Sequence, residues 1–250
     1  VTAGECATGT APTAGCTIGT SNITYTLTGD IAPASGVDGI QFTSGATTNT
    51  TTLTGGITTT GDDAYGLYLN SSDSNITTLT GDISTTGDAA FGLYLNDSDS
   101  NTTTLTGGIT TTGDTAFGLW LDNSGSNTTT LTGDISTTGA SAYGLVLSAI
   151  TFIAGCGEGM CLSITDKTVF NYTTLTGDIS TTGDNASGLF LYYSDSNNTT
   201  LTGGITTTGD DAYGLFLYDS DSNTTTLTGG ITTTGDAAFG LYLNDSDSNT

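Results

Sequence analysis

The sequence contains no histidine, and Lys167 is its only basic residue, against 25 acidic residues and a net charge of −24 over 250 residues. A chain without basic residues cannot neutralise phosphates, so we expect no nucleic-acid partner. Anionic membranes repel such a surface, and no run of about 20 apolar residues is present, so we expect no membrane insertion. The missing histidine and arginine exclude most acid–base, phosphoryl-transfer and imidazole–metal chemistry. We therefore predict that the protein is not an enzyme and carries no cofactor other than a candidate calcium ion.

Methionine is also scarce, since Met160 is the only one and the chain begins with valine. This start predicts a removed leader and export, and hence an extracellular or cell-surface location. The four cysteines form two local pairs: Cys6 with Cys16, and Cys156 with Cys161. An even number in an exported chain favours two disulfides, with four free thiols as the alternative.

An internal repeat dominates the rest of the chain. The tripeptide Leu-Thr-Gly begins at Leu27, Leu53, Leu79, Leu105, Leu131, Leu175, Leu201 and Leu227. Most of these positions are 26 residues apart, and one step of 44 indicates an insertion of 18 residues. Each copy has three short extended segments rich in Thr, Ile, Leu and aromatic residues, separated by Gly, Asp, Asn and Ser, which favour turns. No stretch has helical spacing.

Three strands and three corners in 26 residues predict one rung of a parallel β-solenoid, so the fold class is all-β. Four columns of aliphatic residues, which begin at Leu53, Ile57, Leu67 and Leu69, are predicted to form the core, with threonine columns outside. We predict an N-terminal arm or joint at 1–22, rungs at 23–148, an inserted loop closed by the Cys156–Cys161 disulfide at 149–170, and rungs at 171–250. A redox site is the alternative interpretation of this second cysteine pair.

The repeated pattern TGD-IS-TTGD-AxGLxL-DSDSN is similar to repeats of bacterial β-solenoid surface proteins, of which autotransporter passengers and large exported adhesins are the nearest comparison. The resemblance covers residues 24–250 and implies a secreted or surface-anchored rod. It brings no catalytic residue with it, and the chain contains no segment that resembles the membrane translocator of a complete autotransporter.

Acidic turns suggest calcium, because oxygen ligands at alternate positions begin a calcium-binding loop. The three candidate sets are Asp97, Asp99, Asn101; Asp219, Asp221, Asn223; and Asp245, Asp247, Asn249. The glycine and the distal glutamate of an EF-hand are missing, and we favour solvated turns that bond to local backbone. Further aspartates, such as those at 62, 88 and 114, recur in one column and are predicted to repel one another.

Two columns of aromatic residues run through the repeats. The first is Tyr65, Phe91, Phe117, Tyr143, Tyr213 and Phe239, with Ser187 as a gap. The second is Tyr68, Tyr94, Trp120, Phe190, Phe216 and Tyr242, with Val146 as a gap. Strict alternation places the first column inside and the second outside, whereas a corner at Gly66 places both outside. An exposed stripe would bind sugars or neighbouring fibres, and simple stacking that stabilises the rod is the interpretation we favour.

Asparagines in N-x-S/T sequons are candidate glycosylation sites. Those that we single out are Asn22, Asn49, Asn75, Asn101, Asn127, Asn171 and Asn223.

The chain reaches Thr250 inside a nearly perfect repeat, which predicts an open last rung. Our first functional hypothesis is therefore a subunit of an extracellular filament, a head-to-tail homopolymer joined through 1–22. The alternative is a monomeric adhesin or passenger stalk that binds a host or glycan ligand. A polysaccharide hydrolase is disfavoured, because only Glu5, Glu158 and Asp166 stand apart from the repeat and none has an obvious partner.

Overall fold

The computed structural model describes residues 4–149, 151–153, 161–163 and 170–250, with backbone only for the two short segments. Its strands in chain order are β1 Gly4–Glu5, β2 Gly9–Thr10, β3 Cys16–Ile18, β4 Thr24–Thr28, β5 Ile40–Phe42, β6 Thr50–Thr54, β7 Ile57–Thr60, β8 Leu67–Asn70, β9 Ile76–Leu79, β10 Ile83–Thr86, β11 Leu93–Asn96, β12 Thr102–Leu105, β13 Ile109–Thr112, β14 Leu119–Asp122, β15 Thr128–Leu131, β16 Ile135–Thr138, β17 Leu145–Ser148, β18 Thr151–Ile153, β19 Cys161–Ser163, β20 Tyr172–Leu175, β21 Ile179–Thr182, β22 Ser187–Tyr192, β23 Asn198–Leu201, β24 Ile205–Thr208, β25 Tyr213–Tyr218, β26 Thr224–Leu227, β27 Ile231–Thr234 and β28 Phe239–Asn244.

These strands form a parallel β-solenoid with three long sheets, which confirms the predicted fold class. Sheet A has ten strands from β1 to β28, sheet B nine from β2 to β26, and sheet C seven from β7 to β27. Each rung passes through sheets B, C and A in turn. Strands pair in parallel with their equivalents one rung away, as in Leu53 with Leu79 and Leu67 with Leu93, so the 26-residue period of the sequence is also the register of the sheets.

The predicted insertion interrupts the chain without interrupting the sheets. Strand β15 pairs with β20, with Thr128 opposite Tyr172, and strand β17 pairs with β22. The intervening chain includes an antiparallel pair, β18 with β19. The candidate Cys156 lies outside the described residues, and for Cys161 only the backbone is described, so the predicted second disulfide is not tested.

The described part of the N-terminal segment pairs with the sheets of the solenoid. Strand β1 pairs with β3 in sheet A, and β2 pairs with β4 in sheet B. The predicted Cys6–Cys16 disulfide is present, with 4.9 Å between the Cα atoms. This segment covers the next rung, because Leu27 and Ile31 of that rung are buried.

The core contains the predicted leucine and isoleucine columns, together with threonines that were expected outside. Thr51 shares its face of β6 with Leu53, and both are buried, because side chains alternate strictly along a strand. Thr59 also points inward from β7, and its hydroxyl donates to the Ala64 carbonyl at 3.0 Å. The equivalent hydroxyls of Thr85 and Thr111 make the same bond, which fixes the turn that leads into sheet A.

Among the described residues, no helix is long and apolar enough to cross a membrane.

Candidate functional site

The asparagine that ends each DSDSN turn is structural. The Asn75 backbone N–H donates to Asn101 Oδ1 at 2.8 Å, and the Asn75 side-chain amide donates to the Ala46 carbonyl at 2.9 Å. This asparagine ladder consists of Asn49, Asn75, Asn101, Asn127, Asn171, Asn197, Asn223 and Asn249. It provides partners for buried backbone groups at a corner where the sheets provide none.

This ladder bears on the glycosylation prediction. Six of the seven candidates are buried: Asn49, Asn75, Asn101, Asn127, Asn171 and Asn223. The amide nitrogen that would carry the sugar donates to a backbone carbonyl in five of them, all except Asn101. The folded rod therefore has no room for a glycan at these positions, whereas Asn22 is partly exposed.

The candidate calcium ligands also have other roles. Asn101, Asn223 and Asn249 each turn their Oδ1 inward, where it accepts a backbone N–H of the preceding rung. Asp99 Oδ1 accepts the Gly125 N–H at 2.7 Å, and Asp97 accepts the Asn123 side-chain amide. In the first set the three side chains therefore point to different partners, and among the described residues no group of three or more acidic, histidine or cysteine side chains could hold a metal.

The stacked aspartates are hydrogen-bond acceptors for the next rung. Asp62 Oδ1 accepts the Asp88 N–H at 3.0 Å, and Asp88 Oδ1 accepts the Asp114 N–H at 2.9 Å. A second ladder begins with Asp30, which accepts the Gly56 N–H at 2.9 Å. Charge-assisted bonds of this kind offset like-charge repulsion. The strongly acidic composition therefore reflects the turns, where these carboxylates accept backbone N–H groups as well as repel one another.

Both aromatic columns lie on the outer face of sheet A, where they form a surface that we call the aromatic ribbon. A glycine corner next to the first outward residue of each sheet A strand places both columns on this outer face. A Cβ atom on Gly92 would overlap Ile109 Cγ2 and lie 2.7 Å from the Gly118 carbonyl oxygen, so only glycine fits. The chain turns at this glycine, and the residue before it and the first outward residue of the strand face the same side.

Ring contacts tie the two columns together. Tyr65 meets Tyr68 edge to face with centroids 4.9 Å apart, and Tyr68 stacks on Tyr94 at 5.0 Å. Tyr94 in turn stacks on Trp120 at 4.7 Å with an interplanar angle of 14°. Such contacts stabilise by about 0.5–1.5 kcal/mol beyond area burial. Burial raises the pKa of the Tyr65 phenol to about 12 and that of Tyr94 further in the same direction.

The ribbon is interrupted at Val146, which pairs with Trp120 on one side and Phe190 on the other. A cavity of about 230 Å³ opens there, lined by Phe117, Trp120, Asp122, Tyr143, Val146, Ser148, Phe190 and Tyr192. We call this cavity the aromatic gap. Five of its eight lining residues are aromatic, and the polar groups of Asp122 and Ser148 lie at one side.

A short hydrogen-bond chain borders the aromatic gap. Trp120 Nε1–H donates to Ser148 Oγ at 2.9 Å, and the Ser148 hydroxyl donates to Asp122 Oδ1 at 2.7 Å. Burial raises the pKa of Asp122 to about 6, against the opposing effect of the bonds from Ser148 and Tyr94. Asp38, which is also partly buried, has a pKa raised to about 6 by desolvation, although its carboxylate accepts the Tyr65 N–H.

Sequence reasoning missed both carboxyl groups. Glu5, which it considered, is exposed on β1, and Glu158 and Asp166 lie outside the described residues. The available signal for Asp122 was its departure from the asparagine found at the equivalent positions 70 and 96.

Comparison with protein-family models, with curated proteins and with solved structures finds no match.

Proposed function

We propose that this chain is the rigid stalk of an extracellular surface protein of the adhesin or autotransporter-passenger kind, with a structural rather than an enzymatic role. The observation that carries the proposal is the continuous register of the three sheets, in which the strands of each rung pair in parallel with those of the next. A stack held together in this way by contacts between neighbouring rungs forms an extended rod, as a stalk requires.

The mechanics of the rod suit this role. In-register sheets add about 4.8 Å per rung, so eight rungs span about 40 Å. Buried aliphatic columns and the asparagine ladder join each rung from Asn49 onward to the next, and hydrogen bonds from aspartate carboxylates to backbone N–H groups add to them at several rungs. The Cys6–Cys16 disulfide at the covered end supports an oxidising, extracellular location.

A head-to-tail filament is the second candidate, because Phe239, Leu241 and Leu243 are large, exposed and apolar. The opposite end offers a poor counterpart. Strands β1 and β2, which each pair along one edge only, have two exposed residues each, and the covering segment exposes mainly small or polar side chains. A joint between copies would therefore bury little apolar area per unpaired strand.

Light scattering after size-exclusion chromatography, together with negative-stain microscopy of the unheated chain, distinguishes the candidates. A stalk segment gives monomeric rods of about 40 Å. Uniform fibres that disappear in Leu241→Lys/Leu243→Lys would instead establish axial assembly. Tyr242→Lys is the matched control, since it adds a charge to the same strand on the outer face, and fibres that form through the axis persist in it.

A further inference from the structure

The aromatic gap is the place where departures from the repeat gather. Trp120 is the only tryptophan in the chain, and Val146 is the only aliphatic residue in its column between 68 and 242. Asp122 is the only acidic residue in the next outer column, and Ser148 follows it one rung later. Four neighbouring substitutions in an otherwise regular array create one cavity beside one carboxylate.

The gap has the dimensions of one missing ring. Trp120 stacks on Tyr94 with one face, and Phe190 stacks on Phe216 at 4.8 Å, so their other faces turn toward Val146. Two rungs separate these faces, which is about 10 Å. Val146 is 3% exposed and fills only the base of that space. A compact group held there lies over the π-faces of both rings.

Charge determines what that group is. The carboxylate of Asp122 lies at the edge of the cavity, and the described residues include no lysine or arginine to pair with it. The chain as a whole carries a net charge of −24, so it attracts cations and repels anions. Aromatic faces bind cations through the ring quadrupole, and tryptophan does so best.

Hydrogen bonding selects among cations. A primary ammonium needs acceptors for three N–H groups, whereas Asp122 and Ser148 lie together at one side of this cavity and already bond to each other, and the hydroxyls of Tyr143 and Tyr192 are the other side-chain oxygens of the lining. A quaternary ammonium has no N–H to satisfy and presents methyl groups to the rings. We propose that the aromatic gap binds the trimethylammonium group of a small molecule, between Trp120 and Phe190 and beside Asp122. This site does not depend on whether the rod is a stalk or a filament subunit.

Trp120 reports directly on the site, because the chain has no other tryptophan. Titration of the whole chain with choline chloride, against sodium chloride at equal ionic strength, should change the tryptophan fluorescence saturably. The neutral isostere 3,3-dimethylbutan-1-ol has the same shape without the charge, and we expect it to bind at least about tenfold more weakly.

Two variants locate the binding. Val146→Phe places in the gap a ring of the kind that most other rungs carry there, and should abolish the choline response without lowering the melting temperature. Asp122→Asn keeps the shape and removes the charge, and should weaken choline about tenfold or more. Tyr68→Phe, in the same column but far from the gap, is the matched control and should bind as the parent chain does.

Several results would overturn the proposal: equal binding of the neutral alcohol, an unchanged response in Val146→Phe, or no response to choline at all. Saturable binding of methyl glucoside in place of choline would assign the gap to a sugar. A choline response that arises only in Lys167→Gln would show that the chain's own lysine occupies the gap.

Discussion

Residues 88–102 and 236–250 have the same sequence, DAAFGLYLNDSDSNT, yet they lie in different environments. In the first copy Phe91 is 6% and Leu95 0% exposed, and in the second the equivalent Phe239 is 47% and Leu243 50% exposed. The two copies form equivalent strands, β11 and β28, after the same turn. The difference teaches that burial in this molecule comes from the rungs on either side, so one sequence is a core element in one place and an open face in another.

The leucine pair gives the largest expected contrast. Leu95→Ala should lower the free energy of unfolding by about 2–5 kcal/mol, because it leaves a cavity between rungs. Leu243→Ala, the same change in the same local sequence, should cost less than about 1 kcal/mol, since half of that side chain is already exposed. Denaturant unfolding followed by far-ultraviolet circular dichroism measures both. Equal losses would contradict the view that neighbouring rungs determine burial.

The covered N-terminal end can be opened by removing its disulfide. Cys6→Ala/Cys16→Ala should cost about 2–4 kcal/mol, because it removes a cross-link between positions ten residues apart. The N-terminal rungs should then lose protection in hydrogen exchange, while those near 205 keep it. Uniform loss along the rod would mean that the stack unfolds as a single unit instead.

The asparagine ladder offers a second matched pair at identical local sequence. Asn101→Ala leaves the buried Asn75 N–H without its acceptor, and we expect a loss of about 1–3 kcal/mol. Asn249→Ala removes the equivalent acceptor of the Asn223 N–H. Because Asn249 lies in the partly exposed last rung, we expect a smaller loss of stability. Thermal melting of the two variants at equal concentration is the measurement. A larger loss for Asn249→Ala would show that the ladder does not act through burial.

The last contrast depends on pH. The pKa of Asp122 is about 6 in the folded chain and near 3.8 when unperturbed, so the folded state holds its proton more tightly. The contribution of Asp122 to stability therefore falls as the pH rises from about 4 to about 6 and is constant above that range. Asp122→Asn should remove this contribution, so that its stability relative to the parent improves across the same interval. The opposite trend would mean that the carboxylate is stabilised, not penalised, by its surroundings.

Much of the fold could be predicted from the sequence, because a period of 26 with three strand-like segments leaves few alternatives. The columns that begin at Leu53 and Ile57 followed from alternation alone. The outward position of both aromatic columns did not follow from alternation, because the turn at Gly66 changes which side the preceding aromatic residue faces. The burial of the asparagines in the sequons could not be predicted, because burial of a turn residue depends on the neighbouring rung and not on the local sequence.

The aromatic gap was visible in the sequence only as a valine in a column of rings. Its chemistry became clear when the sheets placed Trp120, Asp122, Val146 and Ser148 on adjacent rungs, although 28 residues separate the first from the last. The raised pKa of Asp122 arises from the packing of side chains in neighbouring rungs, which no local pattern encodes.

The sequence by itself determined the repeating unit: where each strand and turn falls, which residues alternate inward, and that every rung stacks in register on the next. These features depend on local sterics and on a period that recurs along the chain. The tertiary structure alone decided which of the identical rungs are buried, on which side of a corner a ring lies, and which carboxyl group is desolvated. Each of these depends on contacts between rungs, and solvent exclusion is a property of the assembled stack.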